Sequence, residues 1–120
     1  MEKEYENAHQ LKDFVETHNL MNRNSIVHFN SIVTIETANN KITNQKFEIM
    51  ISFDNYNSLG LITILESNID PNLFPTVFEA NWQKMEHIEN EYLKITDIHK
   101  KNHLIGKYTV KIIPLEKTRN

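Results

Sequence analysis

The chain has 120 residues, a formal net charge of −3 and no cysteine, so disulfides, thiolate metal sites and cysteine nucleophiles are all excluded. It holds 16 Asn and 15 Ile but only 2 Gly, 3 Ala and 2 Arg. This is the bias of an A/T-rich genome, and with Gly60 and Gly106 alone a phosphate-cradling loop, a nucleophile elbow or a dinucleotide fingerprint cannot be built.

Residues 4–18 read as an amphipathic helix. Ala8, Leu11, Phe14, Val15 and His18 fall on one face at steps of three and four, and Asn19 suits a left-handed terminator. Residues 25–37 read as a strand with Val27, Phe29, Ser31, Val33 and Ile35 on one face. Ala38-Asn39-Asn40-Lys41 is a turn signal, and Phe47, Ile49, Ile51 and Phe53 alternate along the next strand. After a turn at 54–58, Leu59 to Leu65 is almost entirely apolar, which predicts a strand that is central or covered on both faces.

Pro71 and Pro75 interrupt the chain, and Thr76-Val77-Phe78-Glu79 has the form of a capping box. The sequence predicts a second helix from there to about Leu93, with Val77, Phe78, Met85, Ile88 and Tyr92 in one sector, Trp82 and Leu93 at its margins, and Glu79, Glu86 and Asn90 opposite. Two more strands follow. Leu93, Ile95 and Asp97 alternate against Lys94, Thr96 and Ile98, although residues 93–104 could instead prolong the second helix. Tyr108, Val110 and Ile112 alternate against Lys107, Thr109 and Lys111. The expectation is therefore an α+β domain spanning 1–120, with element order α-β-β-β-α-β-β. A single antiparallel sheet of about five strands would carry both helices on its apolar face.

Charge is divided along the chain. Residues 61–91 hold six acidic residues and one Lys, whereas residues 92–120 hold two acidic residues and seven basic ones. The scarcity of Arg and a pI of about 6.0 disfavour a dedicated nucleic-acid domain. Histidine pairs four apart, His99 with His103 and the mixed pair His87 with Glu91, lack the third ligand that a metal site requires. Pairs such as Glu86 with Glu89 or Glu91 read as a solvated helix face and not as an acid–base couple. No catalytic, metal or cofactor set is expected, nor a membrane partner, and a cytoplasmic setting is the default reading.

What remains is a non-enzymatic protein binder. Trp82 at the margin of the predicted helix, and the basic segment His99, Lys100, Lys101, His103 and Lys107, are the expected contact residues, facing an acidic or mixed surface. In length and in its Asn-, Ile-, Lys- and Glu-rich composition the chain resembles the small phage anti-defence proteins that block a Sir2-domain NAD-depleting defence enzyme of Bacillus. That resemblance implies stoichiometric inhibition in the host cytoplasm, by binding the defence enzyme and preventing its activation. A toxin-immunity protein and a phage structural or accessory protein are the alternatives.

Overall fold

The computed structural model describes residues 2–20, 26–53, 60–79, 83–99 and 104–115. Among these residues there are one helix, α1 (Glu2–Thr17), and seven strands: β1 (Ile26–Thr37), β2 (Lys41–Phe53), β3 (Gly60–Leu65), β4 (Val77–Glu79), β5 (Lys84–Ile88), β6 (Tyr92–His99) and β7 (Gly106–Pro114). All lie in one antiparallel sheet of order β4-β3-β2-β1-β7-β6-β5.

The expected first helix is present as α1, and the strands expected at 25–37, 47–53 and 59–65 are present as β1, β2 and β3, described from Ile26, Lys41 and Gly60; the expected turn at 54–58 lies outside the described residues. The expected second helix is not. Its segment contributes β4 and β5, so the sheet has seven strands instead of about five and carries one helix instead of two. The reason is local ambiguity settled by non-local pairing. Val77–Glu79 and Lys84–Ile88 are three and five residues long, too short for periodicity to separate strand from helix. Glu79 pairs with Leu61 and Phe78 with Ile62, while Met85 pairs with Ile95 and His87 with Leu93. Glu89 and Asn90, placed in the interior of the expected helix, instead form a turn with φ of 52° and 57°, closed by Glu91 N–H donating to Ile88 O at 2.9 Å. Positive φ at both central residues is the dihedral signature of a hairpin turn. The strand expected from Leu93 is present as β6, so the alternative, a helix prolonged through 93–104, is not found over 93–99, and residues 100–103 lie outside the described residues.

The sheet is strongly curled, and the chain connectivity requires it. β4 and β5 stand at opposite edges, yet only residues 80–83 separate them. That connection reaches at most about 18 Å, whereas six strand spacings in a flat sheet would separate the edges by about 29 Å. Curling brings Glu79 O within 3.3 Å of Gln83 N–H and sets the ring of Phe78 on β4 6.0 Å from that of Tyr108, four strands away on β7. The result is a half-barrel whose concave face holds the core: Val27, Phe29, Val33, Ile35, Ile49, Ile51, Ile62, Leu93, Ile95, Val110 and Ile112 are all buried.

Part of this curvature arises at a bulge. The β1–β2 register shifts between Val33 and Ile35, where Asn44 adopts φ 50°. The Thr34 hydroxyl accepts from Asn44 N–H and donates to Asn44 Oδ1, both at 3.1 Å. An extra residue with left-handed dihedrals is the bulge form usually supplied by Gly, and it increases local twist; here Asn supplies it.

α1 closes the open side. Leu11, Phe14 and Val15 are fully buried, as the helical period predicts. Asn19 takes φ 55°, Leu20 N–H donates to Val15 O at 2.9 Å and Asn19 N–H to Glu16 O at 3.1 Å. This is the Schellman arrangement, with Leu20 and Val15 as its buried apolar pair. Gly60 permits the close approach of helix to sheet, because a Cβ there would collide with Leu11 Cδ2.

Candidate functional site

Two features stand apart from packing. The first is the outer face of the β6–β7 hairpin. β6 and β7 pair with Lys94 opposite Lys111 and Ile98 opposite Lys107, which brings three lysines of the basic C-terminal segment onto one convex surface. Lys107 is exposed, and Lys94 and Lys111 are partly so. Lys111 Nζ lies 4.6 Å from the centroid of the Tyr92 ring, a cation–π contact. Exposed Ile113 flanks this row. Across the sheet, Glu86 neighbours Lys94 but lies against Lys84, at 3.9 Å.

Of the expected contact residues, Lys107 and His99 are on this hairpin, His99 opposite Gly106 at its loop end. Gly106 takes φ 57°, a conformation that favours glycine, as the chain turns into β7. Trp82, Lys100, Lys101 and His103 lie outside the described residues. The acidic segment does not form one surface. Glu79 and Glu86 are on the convex face, Glu89 and Glu91 are in the β5–β6 turn, and Glu66 and Asp70 accept from the backbone N–H of Asn68 and Asn72 in a separate loop.

The second feature is where α1 meets β5, and it escaped the sequence reading. Asn7, Gln10 and Asp13 form one row of the helix and run along the outer edge of β5. Asn7 Nδ2 donates to Gln83 O, Asn7 Oδ1 accepts from Met85 N–H at 3.0 Å, and Gln10 Oε1 accepts from His87 N–H at 2.8 Å. Helix side chains thus occupy the backbone groups that an edge strand otherwise offers to another strand.

At the end of this row, Asp13 Oδ2 lies 2.7 Å from His87 Nδ1. The His87 side chain is 1% exposed, and its ring stands 5.6 Å from Phe14 and 5.5 Å from His18. Phe14 and His18 are 5.1 Å apart, completing a three-ring cluster. The Nε2 atoms of both histidines are buried without a hydrogen-bond partner. Burial, and secondarily the neighbouring His87, hold His18 below the usual histidine pKa. The sequence pairs His87 with Glu91 and places His18 on the apolar face of the first helix. The two histidines are 69 positions apart, and no spacing rule connects them.

The chemistry available is limited by this geometry. His87 is in β5 whereas Glu91 is exposed in the following turn, so they share no helix face. Among the described residues, no three His, Asp or Glu side chains converge as a metal ion would need, and no helix is long and apolar enough to cross a membrane. No protein-family model, curated protein or solved structure matches the chain.

Proposed function

We propose that the chain is a non-enzymatic protein-binding inhibitor, docking through the outer face of the β6–β7 hairpin onto an acidic or mixed surface. Within that class, its length and composition favour a phage or prophage anti-defence protein that occupies a bacterial defence enzyme, such as a Sir2-domain NADase, and blocks its activation. One observation supports the surface above others: Lys94 and Lys111 stand directly opposite each other on adjacent strands. Like charges so placed cost a sheet a few tenths of a kcal/mol to about 1 kcal/mol. An acidic partner relieves that repulsion, and Tyr92 and Ile113 beside the lysines supply apolar contact area.

Charges at the margin of an interface act chiefly on the association rate. The double reversal Lys94→Glu with Lys111→Glu should slow association several-fold at low salt and less at high salt. The assay is affinity purification from infected cells, followed by binding kinetics on the captured partner. Recovery of no protein at near-stoichiometric yield would overturn the class. Unchanged kinetics in a folded double variant would overturn the surface.

A further inference from the structure

We propose that His18, packed against His87, is a proton-sensitive latch: with its ring neutral it holds α1 against the edge of β5, and its protonation lifts the helix from that edge. Three observations carry this. The rings are 5.5 Å apart within the helix–strand contact. Both Nε2 atoms are buried and without partners, so a proton added at either is not met by an acceptor there. The pair also sits at the end of the row through which Asn7 and Gln10 bind the β5 backbone.

The surroundings decide the sign. From α1, Asp13 contacts His87 Nδ1 and can balance one positive charge, while Glu16 is exposed. From β5, Lys84 and Glu86 lie against each other on the outer face. From β6, the residue opposite His87 is Leu93, and from β1, Phe29 packs behind Phe14. Among the described residues, one carboxylate therefore faces two imidazoles. Asp13 lies against His87, but a charge on His18 is met by burial and then by the His87 ring, the same causes that lower its pKa. Protonation of His18 is thus more favourable once the helix has lifted, and acidification below the ordinary value of 6.5 drives the opening. The opened state exposes the N–H groups of Met85 and His87 and the carbonyl of Gln83, an unpaired strand edge.

Amide hydrogen exchange on the full chain tests this, after correction for the intrinsic pH dependence of exchange. Between about pH 7.5 and about pH 5.5, protection at the Met85 and His87 amides should fall at least ~10-fold, while Val33 and Ile35 in β1 hold theirs. His18→Phe keeps an aromatic ring beside Phe14 but cannot take a proton, so its Met85 and His87 protection should be independent of pH. Asp13→Asn removes the one balancing charge and should move the loss of protection to higher pH. Protection that is unchanged with pH, that falls equally at β1, or that retains its pH dependence in His18→Phe would overturn the latch.

Discussion

Replacing Asn7 by Ala separates the edge-capping role of α1 from simple apolar packing. Asn7 is 3% exposed, and its amide serves two backbone groups of β5 at once, Gln83 O and Met85 N–H. Truncation leaves the Met85 N–H buried without this acceptor, at about 1–3 kcal/mol for a buried unsatisfied group. The Gln83 carbonyl is only partly buried and can regain water, which limits its share to about 1 kcal/mol. The expected loss is therefore about 2–4 kcal/mol, a large part of the ~5–15 kcal/mol that holds a domain of this size together. The assay is urea unfolding followed by circular dichroism, with the slope checked against the parent so that a changed midpoint reports stability alone. Asn7→Asp keeps an acceptor for Met85 N–H but no donor for Gln83 O, and should fall between the two. An Asn7→Ala variant within ~0.5 kcal/mol of the parent, the range of ordinary surface changes, would refute the idea that these bonds secure the edge.

Three other perturbations probe the fold. Gly60→Ala forces a Cβ against the buried Leu11 side chain and should cost about 1–3 kcal/mol in the same unfolding assay. Asn44→Ala, at φ 50° and without the bond to Thr34, should cost about 1–2 kcal/mol, whereas Asn44→Gly, free of the backbone penalty, should be clearly milder in thermal melts. Tyr108 is held well above the usual tyrosine pKa by burial and then by Asp97, against a smaller opposing hydrogen bond from Gln83. Its hydroxyl should stay silent in an ultraviolet titration past the ordinary value of 10.0, and stability should fall as pH rises above that value, because only the unfolded tyrosine then ionises readily.

Wherever one periodic face met one large buried surface, sequence alone determined the structure. The α1 stripe of Leu11, Phe14 and Val15, its Asn19 terminator, and the alternation of Val27, Phe29, Val33 and Ile35 are all found as read. So is the alternation of Leu93 and Ile95 in β6 and of Tyr108, Val110 and Ile112 in β7. A period needs several repeats before it can distinguish 3.6 from 2, and these segments provide them. Between Val77 and Ile88 the repeats run out. Glutamates and an apparent capping box favour a helix locally, and pairing with β3 and β6 overrides that preference. The bulge at Asn44 and the turn at Glu89-Asn90 were hidden for a related reason, since Asn and Glu occupy positive-φ positions where Gly would have been conspicuous. The tertiary structure alone decided the contact between His18 and His87 and the binding of the β5 edge by Asn7 and Gln10. Both join residues about 70 positions or more apart, and they exist because four residues must connect opposite edges of the sheet, curling it until α1 spans the gap.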